Sequence, residues 1–213
     1  MYSLPDFKER DQQVVRDFIR RYPFAFLTGV NTAGELVATQ VPFFADERDG
    51  TLYLSAHIMK NTDHHKAFMS NPNVLAVFTG PDCYVSASWY KDQKQASTWN
   101  YMSVHARGIL RFQDDASLLE NMRRTTNYYE NDPSSGSNFE DLSSEYVNRL
   151  KHAIVVFEIE VTSIENVFKL SQNRDEESYD NIIRKLSDGD ADARQIAAEM
   201  EKRRSQLFKA TTT

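Results

Sequence analysis

Tyr84–Arg107, YVSASWYKDQKQASTWNYMSVHAR, is the stretch on which the reading of this chain turns. It holds both tryptophans, Trp89 and Trp99, together with Tyr84, Tyr90, Tyr101 and His105. Before Lys91 the side chains alternate, with Val85, Ala87 and Trp89 opposing Tyr84, Ser86, Ser88 and Tyr90, which is the two-residue period of a strand. Lys91–Lys94 (KDQK) reads as a charged turn. After it Trp99, Tyr101, Ser103 and His105 alternate with Asn100, Met102, Val104 and Ala106, and this predicts a second strand that continues through Gln113. Both faces of the hairpin carry aromatic and hydrogen-bonding groups. Two readings stand side by side: an aromatic hairpin whose Trp N–H and Tyr O–H groups find backbone partners, or a wall for a flat heteroaromatic ligand.

On the N-terminal side, residues 10–21 (RDQQVVRDFIRR) place Val14, Val15, Phe18 and Ile19 on one helical face, and Pro23 stops the helix. Phe24–Val30 (FAFLTGV), an NTAG turn and Glu35–Phe44 (ELVATQVPFF) form a hairpin signal. Pro42 inside the second strand cannot donate to a ladder, so it predicts an edge, a bulge or a strand end. A turn at 47–50 (ERDG) leads to a third strand, Thr51–Ala56 (TLYLSA). A helix follows, with Asn61, Thr62 or Asp63 as its cap and Lys60 beside its start, where a helix N-terminus attracts phosphate. His57, His64 and His65 fall here too, but their spacing matches no zinc pattern and no metal site is expected. Asn71–Thr79 reads as a buried strand and GPD (80–82) as the turn into the central stretch.

On the C-terminal side, Asp114 and Asp115 open a helix to about Glu130. The segment 130–145 (ENDPSSGSNFEDLSSE) has the composition of an exposed excursion. Tyr146–Leu150 is helical, and Ala153–Val161 (AIVVFEIEV) passes from a continuous apolar run into alternation, as a central strand emerging at an edge does. FKLSQNR (168–174) then sets Lys169, Gln172 and Arg174, three anion or amide contacts, just after a strand. Tyr179–Leu186 and Asp190–Leu207 form a helical tail. The order of helix, closely spaced strands and helices predicts an α+β fold on an antiparallel barrel or sandwich.

Composition narrows the function classes. With 213 residues there is room for one large domain or two small ones. Only 7 glycines are present, and none forms a Gly-rich dinucleotide loop. A net charge of −6 gives no bulk attraction to nucleic acid. Cys83 is the one cysteine, so neither an intramolecular disulfide nor a thiolate cluster can form, which suits a reducing compartment. No leader pattern and no long apolar run is present, and a soluble cytoplasmic protein is expected.

MYSLPDF, YPFAFL, ATQVPFF, GP followed by YVSASWY, STWNYMSVHARG and FKLSQNR, taken in order from Met1 to about Met200, closely resemble the PaiB-like proteins. These belong to the FMN-binding split-barrel superfamily, alongside pyridoxamine-phosphate oxidases and flavin reductases. The resemblance implies a six-stranded antiparallel split β-barrel with flanking helices over residues 1–175 and a helical extension, 176–213, packed on it. It also implies a homodimer with FMN sites at the subunit interface. Carried over residue by residue, Thr39, Gln40, Val41 and Pro42 lie beside the flavin ring, with Gln40 where many members have His. Ser55 and His57 lead into a block resembling HIARxN, in which Lys60 replaces Arg and Thr62 replaces Asn; a cation survives, without the bidentate fork. SASWY and ASTWNY stand for SPSWY and VPTWNY, with Trp99 offering a ring and Asn100 an amide for a pyrimidine edge. KLSQNR matches fully and supplies Lys169, Gln172 and Arg174.

Two functions follow as expectations. One is an FMN-dependent redox enzyme or flavin carrier acting on an unidentified small molecule, the chemistry residing in the cofactor. The other is a flavin-dependent or flavin-sensing negative transcriptional regulator, the name often given to this family. No helix-turn-helix is legible, and the most basic segment, EKRRSQLFK (201–209), is short. Direct nucleic-acid binding is therefore not expected, and no catalytic residue is assigned.

Overall fold

The computed structural model describes residues 1–2, 4–132 and 134–208; Lys209, at the end of the basic segment, lies outside them. Its elements in chain order are α1 (Gln12–Arg21), β1 (Phe24–Val30), β2 (Leu36–Pro42), β3 (Phe44–Arg48), β4 (Thr51–Met59) and α2 (Asp63–Ser70). There follow β5 (Asn73–Val85), β6 (Thr98–Phe112), α3 (Asp115–Glu130), α4 (Ser144–Ala153), β7 (Ile154–Lys169), α5 (Glu176–Ser187) and α6 (Ala191–Leu207). Contacts group the chain into two compact units. A barrel unit holds Ile19–Phe78 and His105–Ile164; a helical unit holds Met1–Phe18, Thr79–Val104 and the chain from Glu165 onward.

The strands form one sheet in the order β2-β1-β5-β6-β7-β4-β3. β1 runs antiparallel to β2, with Phe24 opposite Pro42 and Val30 opposite Leu36, and to β5, with Phe26 opposite Val77. At the other end β4 pairs antiparallel with β3 and with β7. The outermost strands are thus β2 and β3, which are consecutive in the chain and separated by Phe43 alone. Successive Cα atoms stand about 3.8 Å apart, so a one-residue link holds the two edges together only if the sheet curls round. It is a curled antiparallel half-barrel. Phe43 is 4 % exposed; its N–H donates to the Pro23 carbonyl at 2.9 Å, and its ring meets Phe78 at 5.6 Å and Phe157 at 6.1 Å.

The same corner corrects the strand count to seven, where the resemblance implied six. ELVATQVPFF reads as one strand, but Pro42 has no N–H to continue a ladder and Phe43 turns inward, so the run splits into β2 and β3. Two further expectations are corrected in the central stretch. GPD does not turn: β5 runs straight through Gly80, Pro81 and Asp82 as a 13-residue strand. The phase of burial shifts there, from Val74, Ala76 and Phe78 to Pro81, Cys83 and Val85, so the irregularity that Gly-Pro announces is absorbed within the strand. The SASW segment, in turn, is not extended. Ser86 accepts a hydrogen bond from the Ser88 N–H and winds Ala87–Trp89 into a 3₁₀ turn, an instance of serine bonding to local backbone in place of a ladder.

Inside the barrel unit Leu27, Leu54, Ala76, Phe78, Phe157 and Ile159 are fully buried. Burial of each Leu, Ile or Phe contributes about 1.5–3 kcal/mol. A smaller cluster of Leu118, Met122, Phe139 and Val156 seats α3 and α4 against β7. In the helical unit, Tyr179 is buried between α5 and α6 and donates from its hydroxyl to the Met200 carbonyl at 2.9 Å. Phe18 and Phe168 meet at 5.1 Å.

β6 and β7 approach so closely at Gly108 that an added Cβ would sit 2.3 Å from the Glu160 carbonyl oxygen and 2.5 Å from Ile159. Gly108→Ala should therefore destabilise the protein by about 2–3 kcal/mol, as overpacking against backbone does. Denaturant unfolding measures this, and an unchanged midpoint would contradict the strand packing described.

Candidate functional site

The residues singled out from sequence fall into two groups, one in each unit. In the barrel unit ATQVP lies on β2, an edge strand that Pro42 ends. Gln40 and Pro42 share the outer face with Leu36 and Ala38, across from Phe26 and Phe24 of β1; Thr39 and Val41 point to the other face, where Val41 is buried. Phe24, Phe26 and Leu36 are 59 %, 44 % and 83 % exposed, and neither strand carries a charged residue. This is a bare apolar surface.

Ser55 and His57 face outward on β4, between the buried Leu54, Ala56 and Ile58. His57 Nδ1 meets the Asn121 Oδ1 of α3 at 3.0 Å. Beyond β4, Lys60 donates from its backbone to the Ala153 carbonyl at 2.8 Å and from Nζ to the Lys151 carbonyl at 2.7 Å, and it has no carboxylate partner among the described residues. Thr62 caps α2 by accepting from the His65 N–H at 3.2 Å, and the Asp63 carboxylate accepts from the His64 N–H at 2.7 Å. The start of α2 is therefore closed by its own residues. The open helix terminus expected for phosphate is not there; what the corner offers an anion is the Lys60 ammonium, with two N–H groups beyond the one on Lys151.

The second group belongs to the helical unit. Trp99 is 53 % exposed and meets Tyr84 edge-on at 6.0 Å. Asn100, expected to offer its amide to a ligand, is instead fully buried. Its Oδ1 accepts from Ser171 Oγ at 3.0 Å and its Nδ2 reaches Met200 Sδ at 3.5 Å, so it fixes the segment after β7. Gln172 is likewise an internal staple: Oε1 accepts from the Leu170 N–H at 2.7 Å and Nε2 donates to the Phe168 carbonyl at 2.5 Å. Ser171 lies inside the matched KLSQNR block, but sequence reasoning gave it no role; it sits at a left-handed φ of 62° and is buried.

What these braces hold up is a pair of cations. Lys169 Nζ donates to the Trp99 carbonyl at 2.8 Å and to Thr98 Oγ1. Burial, and then the nearby Arg174 charge, push its pKa below the ordinary lysine value. The Arg174 guanidinium lies 4.1 Å over the Tyr90 ring and donates to Gln95. Among the described residues neither cation has a carboxylate partner. In the same unit Arg204 is paired with Asp180 and Glu176, Arg203 with Glu9 and Glu199, and Lys91 with Glu177. Beneath Arg174, the Tyr90 hydroxyl is buried without a hydrogen-bond partner, an arrangement that normally costs about 1–3 kcal/mol. Cys83 is no rival centre, since burial pushes its thiol up to about 12.

Each group taken by itself has donors of the kind a flavin mononucleotide needs. In the barrel unit Lys60, with no carboxylate partner among the described residues, suits a phosphate; in the helical unit Lys169 and Arg174 are N–H donors of the kind that pyrimidine carbonyls accept. No helix of the described residues is long and apolar enough to cross a membrane.

Residues 1–163 match the model of a family described as "Putative FMN-binding domain". The chain is 30 % identical over 203 residues to the protease synthase and sporulation protein PAI 2 of Bacillus subtilis, a match covering 94 % of this chain and 97 % of that protein. Among solved structures it is similar to one titled a putative 5-nitroimidazole antibiotic resistance protein from Bacteroides thetaiotaomicron, with a TM-score of 0.54 and 19 % identity over 75 % of this chain and 84 % of the other. It is also similar to an FAD and heme binding protein from Mycobacterium smegmatis, with a TM-score of 0.52 and 15 % identity over 76 % and 73 %. At such identities these two structures establish a shared fold.

Asn100→Ala should cost about 2–3 kcal/mol, because it leaves the buried Ser171 hydroxyl without its acceptor. Ser171→Ala should cost about 1 kcal/mol. Thermal unfolding of both variants checks the order; equal, negligible losses would mean that Asn100 does not brace the segment.

Proposed function

The chain belongs to the FMN-binding domain family to which its PaiB-like motifs pointed, and from that premise we propose that it is an FMN-dependent redox protein acting on a small molecule. The observation that carries this reading is the Lys169–Arg174 pair: two like charges on one braced segment, with Tyr90 under Arg174, and among the described residues neither charge has a counter-ion and the buried Tyr90 hydroxyl has no partner. Such a spot favours an anionic or carbonyl-rich ligand, since a negative group offsets the burial and then the Arg174 charge that together lower the Lys169 pKa. In the barrel unit Lys60 is the candidate for a phosphate, and in the helical unit Lys169 and Arg174 are the candidates for the electron-rich edge of a ring. When bound, the flavin supplies reversible electron and hydride transfer. The chain's own part is to bind, orient and shield. A role through direct DNA contact finds no support, because the arginines of the basic segment, Arg203 and Arg204, are already held by carboxylates.

The reading includes a homodimer. The outer face of β1 and β2 exposes Phe24, Phe26 and Leu36 around Gln40 and Pro42 with no charge among them. Interface cores are likewise enriched in aromatics and depleted in charge. A second copy seated there would bury these rings and enclose the polar edge of β2. Sedimentation at micromolar concentration should show a dimer, and Phe26→Asp should shift it towards monomer.

Titration of the flavin-free protein should give tighter binding of FMN than of FAD or haem. Removing a charged hydrogen-bond donor costs about 1.5–3 kcal/mol, so Lys60→Ala and Arg174→Ala should each weaken FMN by roughly ten- to a hundredfold. Riboflavin, which lacks the phosphate, should be unaffected by Lys60→Ala alone. FAD or haem binding more tightly than FMN would overturn the reading.

A further inference from the structure

We propose that His65 is the positioning residue of the β4–α2 corner, and that this corner presents Lys60 to a flavin phosphate only while the His65 imidazole is neutral. The inference rests on the FMN reading above and concerns the regulation of that same site.

The geometry is local and specific. Asn61 follows Lys60 directly and sits at a φ of 67°, a left-handed conformation that a residue with a side chain adopts at a cost unless its surroundings hold it. The hold comes from His65, whose Nδ1 accepts the Asn61 N–H at 3.1 Å. The His65 N–H in turn donates to Thr62 Oγ1 at 3.2 Å. One residue thus ties down both residues that lie between Lys60 and α2. His65 is only 8 % exposed and its ring stands edge-on to Phe112 at 5.1 Å, so the imidazole has little room to turn away. On its other side Lys60 is pinned to the end of α4 through the Ala153 and Lys151 carbonyls. The corner is a clamp with the lysine in the middle.

An imidazole nitrogen can accept a hydrogen bond only while its lone pair is free. Protonation would set an N–H of His65 against the N–H of Asn61 and break the clamp. The groups facing His65 add to that penalty: Lys60 at the end of β4, and His64 and Lys66 on its own helix, all cationic or able to become so. β1 and β2, which pack on α2, carry no titratable side chain, and β6 presents Phe112. Burial and then these cations hold the His65 pKa below the ordinary 6.5. Its folded pKa is below its unfolded one, so the stability it lends is complete above about 6.5 and is lost as pH falls through the lower, folded value. The residues were legible in the sequence as NTDHH, the start of a helix with its cap, but the pattern gives no role to His65.

Three proteins test this: the unsubstituted chain, His65→Asn, whose Oδ1 takes the place of Nδ1 but does not titrate, and His65→Leu, which has no acceptor. In the flavin-free protein, the protection of the Asn61 amide, its exchange measured against the intrinsic rate at the same pH, should be high at pH 7.5 and low at pH 5.0. Protection should stay high at both values in His65→Asn and be low at both in His65→Leu. In added salt, which keeps the protein dissolved near its isoelectric point of about 5.4, FMN affinity should fall at least tenfold further between those pH values in the unsubstituted chain than in His65→Asn. Protonation of the phosphate itself affects both proteins alike, and riboflavin affinity should differ little between them. Identical FMN profiles in these two proteins, or Asn61 protection indifferent to pH, would overturn the proposal. FMN failing to bind at pH 7.5 while Asn61 protection still changes with pH would instead overturn the phosphate reading, and with it the role given to the corner.

Discussion

Pro42 has no amide hydrogen, and the residue after it must carry the chain from one edge of the sheet to the other. From that constraint much of the barrel unit follows. With only Phe43 between β2 and β3, the sheet has to curl until its edges come together, and the Phe43 ring fills the inside of the bend against Phe78 and Phe157. Curling gives the sheet an interior for Leu27, Leu54 and Ile159 and leaves it a convex outer face. On that face β1 and β2 carry Phe24, Phe26 and Leu36 but no charge. One proline therefore shapes the core and also sets where the apolar outer surface lies.

The helical unit shows how buried polar groups create functional ones. Asn100, Ser171 and Gln172 make their hydrogen bonds among themselves and to local backbone and sulfur. Each is satisfied, as buried polar groups must be, and together they set the path of the segment after β7. The residues between and after them, Lys169 and Arg174, are the ones left without carboxylate partners among the described residues, near enough for the Arg174 charge to act on Lys169. Motif residues here thus divide into those that build the segment and those that the segment presents. The barrel unit divides the same way: Thr62 and His65 shape the corner, and Lys60 is what it shows.

Much of this was legible in the sequence, and the failures have physical causes. Alternation across Trp99–Ala106 correctly separates the exposed Trp99 from the buried Asn100, Met102, Val104 and Ala106. Pro42 announces an edge, and Asp114 caps α3 as expected. Gly80-Pro81-Asp82 has the composition of a turn, yet it lies within β5, because composition records what a segment tolerates and not which neighbours pair with it. The 3₁₀ turn at Ala87–Trp89 was hidden because Ser86, a good strand residue by alternation, bonds to local backbone. Motif matching located Asn100 and Gln172 but not their tasks, since a side chain's hydrogen-bond partners depend on residues such as Ser171 and Met200 that no local pattern brings together.

The most direct test of the central claim is the identity of what this protein carries. The purified chain, incubated with a mixture of FMN, FAD and haem, freed of excess and then denatured, should release a molecule with the mass of FMN, close to one per chain. Release of FAD or haem in its place, or of nothing, would contradict the account.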